Sequence, residues 1–293
     1  MNPYLHLVRA PAALTVLGDT VAGAAARGGA WRGGAALGGA RGAGGGLRGR
    51  RLLLPAASVA LYWSGMALND WADRRLDAVE RPERPIPSGR VSPDRALAVA
   101  GGLAALGLGL AAVAGGPRAL ATATALAGAV CAYDTVLKDT PAGPLAMAAC
   151  RGLDVLLGAP PGGVRDALPA ASVLAAHTLG VTALSRGEVR GTSPAVARAV
   201  LAGTAATAVA AGARGWRSAV GAAVYAALVG RAQLAVVRSG GGAAEVRAAT
   251  AAGVHGMVPL QAALAAHGSW RSALAVACAL PPARRLGRTV GPT

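Results

Sequence analysis

The residues best suited to chemistry lie in one short stretch, Asn69-Asp70-Trp71-Ala72-Asp73-Arg74-Arg75-Leu76-Asp77. Asp70, Asp73 and Asp77, with Glu80 and Glu83 just beyond them, are five of only 13 acidic residues in the chain. If the stretch is helical, Asn69, Asp73 and Asp77 recur at i, i+4 and i+8, and Asp70 stands three residues before Asp73. All four then share a face. Like charges at that spacing repel, and carboxylates at the edge of a bilayer are costly, so the pattern calls for a neutralising cation. Mg²⁺ is the expected one, because it takes hard oxygen ligands and commonly joins one or two carboxylates to substrate phosphates. Asn69, Asp70, Asp73 and Asp77 are therefore candidate metal ligands. The competing account is a solvated helix end whose acids pair with Arg74, Arg75 and Arg81, but that account does not require an asparagine leading three aspartates along one stripe.

The loop that follows, Arg81-Pro82-Glu83-Arg84-Pro85-Ile86-Pro87-Ser88-Gly89-Arg90, is stiffened by prolines and carries Arg81, Arg84 and Arg90. Guanidinium forks suit phosphate oxygens, and a rigid loop loses less entropy on closing over one. These three arginines are candidate diphosphate ligands; a plain basic loop is the alternative.

Such a site needs elements to hold it, and the composition points to helices in lipid. Of 293 residues 54% are hydrophobic and 14% charged, too apolar a mixture to cover a soluble surface. Phe is absent and 43 residues are Gly, which lets helices approach closely. A span takes roughly 20 apolar residues. Runs of that kind fall near 8–26, 52–71, 94–115, 117–137, 143–160, 167–185, 194–213, 216–237 and 245–267, which predicts about nine transmembrane helices in an all-α bundle. The first run resembles a secretory signal, yet Pro11 and Asp19 interrupt it and a first membrane helix is the simpler reading. A shorter piece, Ser272 to Leu280, extends the last helix or lies at the interface. Residues 27–51 are low-complexity Gly and Arg and read as a flexible loop.

Net charge is +16, but the arginines sit between apolar runs rather than along one basic face, which favours anionic lipid and a phosphorylated substrate over nucleic acid. Cys131, Cys150 and Cys278 lack metal-ligand spacing and read as packing residues. Arginine crowds the loops on both sides, so charge alone does not orient the chain. The acidic end is assigned to the cytoplasm, where soluble diphosphate metabolites are made.

The run Asn69-Asp70-x-x-Asp73-x-x-x-Asp77, followed by Arg84-Pro85-x-x-Ser88-Gly89-Arg90, resembles the first aspartate-rich motif of the UbiA prenyltransferase superfamily. Within it the chain is similar to a bacterial branch, through Ala183-Leu184-Ser185-Arg186-Gly187-Glu188-Val189 and Met257-Val258-Pro259-Leu260-Gln261. The resemblance implies one catalytic domain over 1–293, a bundle around a central cavity, and a diphosphate site at the cytoplasmic mouth. It makes Asp70, Asp73 and Asp77 catalytic Mg²⁺ ligands assisted by Asn69. Tyr133 and Lys138 match a tyrosine and a lysine often found in members, Lys138 binding diphosphate as a point charge, and Arg9 is placed to reach the same phosphate. The chain departs at the second motif, where members carry several more aspartates. Here only Glu188 is acidic, so Glu188 is the candidate second-site ligand, with Arg186 supplying positive charge to the phosphate.

Arg151 and Asp154, i and i+3 in the fifth run, pair with each other or face a cavity; His177 is a buried hydrogen-bonding residue or a base. The implied reaction moves an isoprenyl group from a prenyl diphosphate donor to a small lipophilic acceptor, by family habit an aromatic ring. Two rivals stand beside it. A CDP-alcohol phosphotransferase also uses aspartates at a helix end, but its Gly and Ala-Arg pair are missing from Asp73-Arg74-Arg75-Leu76-Asp77. A non-catalytic isoprenoid or lipid carrier that keeps only the first metal site is the other.

Overall fold

The computed structural model describes residues 2–27, 47 and 49–278. Among these the chain is helical and contains no strand. The 27–51 segment lies largely outside the described residues; its last part, Gly49–Leu53, is a 3₁₀ turn leading into the next helix.

The long helices start and stop where local chemistry dictates. Helix α3 (Leu54–Glu80) begins with Pro55 in its first turn, where a missing N–H costs nothing, and carries the aspartate stripe at its far end. Helix α4 (Pro93–Ala132) follows an N-cap at Ser92 whose side chain accepts from the Arg95 N–H. At 40 residues it would be about 60 Å long, twice the hydrocarbon thickness. Gly116, at φ 68° and ψ −156°, breaks it in the middle just before Pro117, so the sequence reading of two runs on either side of that pair agrees with the backbone. Helix α6 (Val164–Ser185) and helix α7 (Pro194–Gly212), the latter capped by Ser193, follow the expected runs closely. A last long apolar helix runs from Trp216 to Arg238, as α8 (Trp216–Tyr225) and α9 (Arg231–Arg238) joined by a π-turn at Ala226–Gly230.

By length and composition five helical stretches among the described residues could cross a membrane: Gly49–Glu80, Pro93–Leu137, Val164–Ser185, Pro194–Gly212 and Trp216–Arg238. The protein is thus an integral membrane protein. The remaining expected spans have other shapes. Helix α5 (Gly143–Leu157) has only 15 residues. Helix α10 (Ala243–Ala266) is long enough, but every residue from Gly256 to Ala266 is buried by its neighbours. Helix α11 (Trp270–Ala277) is the short piece expected after it.

The first run is not one helix. Helix α1 (Pro3–Leu7) gives way to a 3₁₀ turn at Ala10–Thr15 and then helix α2 (Leu17–Ala24). The break is at Arg9, the one non-glycine with positive φ among the described residues, at φ 46° and ψ 51°. A non-glycine there costs about 1–3 kcal/mol and persists only when its surroundings hold it.

Small residues close the bundle. A Cβ at Gly158 would fall on the Thr20 backbone and one at Gly23 on the Val155 carbonyl, so glycine is what lets α2 meet the end of α5. The packed core joins Leu54, Ala57 and Leu61 of α3 to Ala111, Ala123 and Leu126 of α4 and Cys150 and Leu157 of α5. A second cluster joins α6, α8 and α10 through Leu174, Tyr225, Leu260 and Leu264.

Candidate functional site

The aspartate stripe is helical throughout, as its spacing required, because α3 continues to Glu80 without a breaker. Neighbouring elements divide the stripe in two. Asp70 and Asp77, seven residues apart and each 4% exposed, turn toward the proline loop. There Arg84 Nη1 donates to Asp77 Oδ2 at 2.7 Å and lies 3.4 Å from Asp70 Oδ1. Arg9 Nη2 approaches the same Asp70 oxygen at 3.2 Å, so the strained backbone at Arg9 brings its guanidinium to this carboxylate.

Asn69 and Asp73 turn toward the end of α4. That end is a π-turn, Tyr133–Leu137, a distortion that favours functional sites because it re-aims side chains. From it Lys138 Nζ forms an ion pair with Asp73, and Asn69 Nδ2 donates to Asp134 Oδ1 at 3.3 Å. Three cations, Arg9, Arg84 and Lys138, and four carboxylates, Asp70, Asp73, Asp77 and Asp134, thus meet where α1, α3, the proline loop and the π-turn converge.

Beneath this cluster lies a cavity of about 90 Å³. Its walls are mostly apolar, including Leu61, Met66, Leu126 and Met147, and Tyr133 and Asp134 line its upper end. An apolar space beside a charged mouth has the polarity that suits an ionic head and a hydrocarbon body, but at this volume it is smaller than the roughly 300–1,000 Å³ of a typical ligand pocket.

Comparison with known proteins agrees with this arrangement. The UbiA prenyltransferase family matches residues 33–250. The chain belongs to that family. The digeranylgeranylglyceryl phosphate synthase of Methanopyrus kandleri is 48% identical over 62 residues, a stretch covering 21% of this chain and 23% of that protein. The match therefore spans well under half of the relative's length. A solved structure from a study of digeranylgeranylglyceryl phosphate synthase in membranes superposes with a TM-score of 0.64 at 16% identity, covering 92% of this chain and 98% of the other. A UbiA homologue from Archaeoglobus fulgidus, bound to GPP and Mg²⁺, gives a TM-score of 0.57 at 15% identity over 94% of this chain and 99% of the other. At those identities the structures establish the UbiA fold.

Of the expected site residues of this UbiA-family chain, Arg9, Asn69, Asp70, Asp73, Asp77, Arg84 and Lys138 come together, with Tyr133 on the cavity wall beside them. The other expected phosphate ligands sit differently. Arg90 folds back on its own loop, Nε donating to Ser88 Oγ at 2.9 Å and Nη2 to the Glu83 carbonyl. Arg81 is half-buried at the end of α3, where its N–H closes on the Asp77 carbonyl at 2.8 Å. Arg186 donates to the carbonyls of Lys138 and Thr140, which ties the turn after α6 to the lysine's own backbone. Glu188 lies in that turn, its carbonyl accepting from Arg247 Nη1 at 2.6 Å.

The carboxylates of Asp70, Asp73 and Asp77 are hard oxygen donors, the kind Mg²⁺ takes one or two at a time beside water and substrate phosphate. Among the described residues no group of three or more His, Cys, Asp or Glu side chains is gathered to hold a metal by itself. The stripe thus does not gather into one metal site, because Asp70 and Asp77 face Arg84 while Asp73 faces Lys138.

Two features escaped the sequence reading. Asp134, next to Tyr133 in the chain, has no spacing partner on its own helix; the meeting of α3 and the π-turn pairs it with Asn69. The expected contact of Arg151 with Asp154 is replaced by an ion pair of Arg151 with Asp19 of α2, while Asp154 Oδ2 accepts from Ser58 Oγ at 2.7 Å. His177 has both ring nitrogens engaged, Nδ1 with Tyr225 Oη at 2.9 Å and Nε2 with the Gly253 carbonyl at 3.1 Å. Since a carbonyl only accepts, Nε2 carries the proton and Tyr225 donates to Nδ1, so His177 joins helices rather than acting as a base.

Proposed function

We propose that this chain is an intramembrane prenyltransferase that binds a prenyl diphosphate at the charged end of the bundle, depends on Mg²⁺, and transfers the isoprenyl group to a lipophilic acceptor. The observation that carries the reading is the convergence of Arg9, Arg84 and Lys138 with Asp70, Asp73 and Asp77 above an apolar cavity. Each cation is held by a carboxylate within a salt-bridge distance, so an arriving diphosphate trades partners with the aspartates instead of meeting a repulsive stripe.

One or two of Asp70, Asp73 and Asp77, with Asn69 assisting, would hold Mg²⁺, which would neutralise charge on the departing diphosphate. Lys138 and Arg84 hold the same oxygens from two sides and stabilise the charge as it builds. Arg9 closes the site from the break that follows α1. Arg81, Arg90 and Arg186 form an outer basic rim that draws an anionic substrate in. Glu188 is the remaining carboxylate available to a second ion, and Tyr133 shapes the mouth of the cavity. The apolar walls exclude water from the allylic cation until the acceptor attacks.

On the acceptor, the named relatives bear on the question: their product is digeranylgeranylglyceryl phosphate, a prenylated glyceryl phosphate and not an aromatic compound. An aromatic acceptor has family habit alone behind it, and a lipophilic hydroxyl compound stands as an equal acceptor class. We place the charged end toward the cytoplasm, in the cell membrane, because diphosphate donors are soluble there.

The experiment is to reconstitute the purified protein with geranyl and longer prenyl diphosphates and to follow diphosphate release with aromatic and glyceryl acceptors, with Mg²⁺ and after chelation. Mg²⁺-dependent release with formation of a prenylated acceptor is the expected outcome. Mg²⁺-dependent donor binding without any diphosphate release would instead identify the lipid-carrier alternative.

A further inference from the structure

A groove of about 610 Å³ runs along the bundle between α8, α10 and α11, apart from the cavity at the charged mouth. Val220 and Val224 of α8, Pro259 and Ala262 of α10, and Ala273 and Leu274 of α11 line it. Gly221 lets α8 lie directly on α10, since a Cβ there would stand 2.9 Å from the Ala263 backbone, and α11 forms the facing wall. Trp216 and Trp270, the first residues of α8 and α11, line the same end and are exposed. From Trp216 to Val224 is about 12 Å of helix. Half the hydrocarbon thickness of a bilayer is about 15 Å. The groove therefore has close to the depth of one leaflet, with tryptophan at the end where such rings meet the headgroups.

That end lies on the face away from the diphosphate site. Arg186 ties the turn after α6 to the Lys138 carbonyl, and beyond that turn the Thr192 N–H donates to the Gly241 carbonyl at 2.9 Å. The link between α9 and α10 thus belongs to the charged side. Since Trp216–Arg238 is one membrane-crossing stretch, Trp216 is on the other.

Charge selects the occupant. The Arg217 guanidinium carbon stands 5.4 Å from the ring centre of Trp216, and that of Arg271 stands 5.7 Å from the ring centre of Trp270. Among the described residues neither arginine forms an ion pair, and no acidic side chain lines the groove. Residues 279–293, which follow α11, contain Arg284, Arg285 and Arg288 and no Asp or Glu, so like charge sets this tail against the arginine end. A second copy docked through the same face would oppose arginine to arginine, because a two-fold contact is self-complementary. An anion that carries a hydrocarbon chain satisfies both the uncompensated guanidinium groups and the apolar walls.

We propose that this groove binds one anionic glycerophospholipid from the leaflet opposite the diphosphate site. Arg217 and Arg271 hold its phosphodiester, Trp216 and Trp270 flank the glycerol region, and one acyl chain lies between α8, α10 and α11. The site stands on the membrane character of the bundle and is independent of the prenyl-transfer reading.

Native mass spectrometry of the full chain in detergent tests this, with phosphatidylglycerol and phosphatidylcholine of identical acyl chains as the probes. The wild type takes up one phosphatidylglycerol saturably, in preference to phosphatidylcholine by roughly thirtyfold, or about fivefold for each arginine at a membrane surface. The double variant Arg217→Ala, Arg271→Ala loses that preference. Ala273→Leu fills the groove but keeps both arginines, and weakens both lipids. Arg118→Ala, an exposed arginine outside the groove, leaves the preference as it is.

A wild type that binds the two lipids alike, or that gathers phosphatidylglycerol without saturation, overturns the proposal whether or not any variant folds. So does a folded double variant that keeps the preference, an equal loss in Arg118→Ala, or a folded Ala273→Leu protein that binds as the wild type does. A tight site that opens only when residues 279–293 are removed makes the tail the occupant, and a lipid-free dimer makes it a second copy; either result also overturns the proposal.

Discussion

Arg84 reaches back from the proline loop to place Nη1 2.7 Å from Asp77 Oδ2, at the end of the helix that the loop has just left. The side chains of both are largely buried, 13% and 6% exposed, so this pair fixes the loop over the mouth of the cavity. The contact explains how a loop with Pro82, Pro85 and Pro87 stays on the site: its rigidity is useful only if one anchor sets its position.

Arg84→Ala removes that anchor and leaves Asp77 uncompensated while Asp70 keeps only Arg9. Breaking a buried pair from one side typically costs about 3–5 kcal/mol. Thermal melting in detergent should therefore fall in the order wild type, Arg84→Lys, Arg84→Ala. Equal melting temperatures for the three would mean that the pair does not hold the loop.

Lys138 and Asp73 form one unit across the gap between α3 and the π-turn. Lys138→Met should slow diphosphate release by roughly 100-fold or more, the usual size of losing one electrostatic contact to a developing charge. Asp73→Asn should do as much, and the double variant should lose less than the two effects combined, because paired residues are not additive. Strict additivity in a double-mutant cycle would show that they act independently.

His177 joins α6 to α8 and α10 through Tyr225 and Gly253 and stands apart from the charged mouth. His177→Ala should lower stability by about 1–3 kcal/mol, from the stranded partners. Diphosphate release per folded molecule, measured well below the melting point, should stay close to wild type. A hundredfold loss with unchanged melting would make it a catalytic base after all.

Gly158 has the Thr20 backbone where a Cβ would stand. Gly158→Ala must push α2 away from α5, and overpacking of this kind costs about 1–3 kcal/mol. Because α2 also carries Asp19, the partner of Arg151, the strain should loosen the deep end of the cavity. A melting temperature below that of the wild type is the expected result; Gly101→Ala, with open space around it, is the matched control.

Much of the fold was legible because its signals are local. The α6 and α7 boundaries follow from apolar runs ended by Ser193, Pro194 and their neighbours, and the break at Gly116 follows from the Gly-Gly-Pro run. The first run misled. Its hydrophobicity matches a span, but Arg9 adopts a left-handed backbone that brings its side chain to Asp70, sixty-one residues away. Composition has no access to that contact.

What the sequence by itself determined is the aspartate stripe, since residues three and four apart on a helix share a face whatever surrounds it. It also determined the need for lipid, since so few charged residues cannot cover a soluble surface. Only the tertiary structure decided that the stripe divides, with Asp70 and Asp77 turned to Arg84 and Asn69 and Asp73 turned to the π-turn. It alone paired Arg151 with Asp19 and set Asp154 against Ser58. Helical periodicity fixes which residues point the same way, but the partner each one meets depends on which other helix packs there, and that is set by the close fit of distant surfaces.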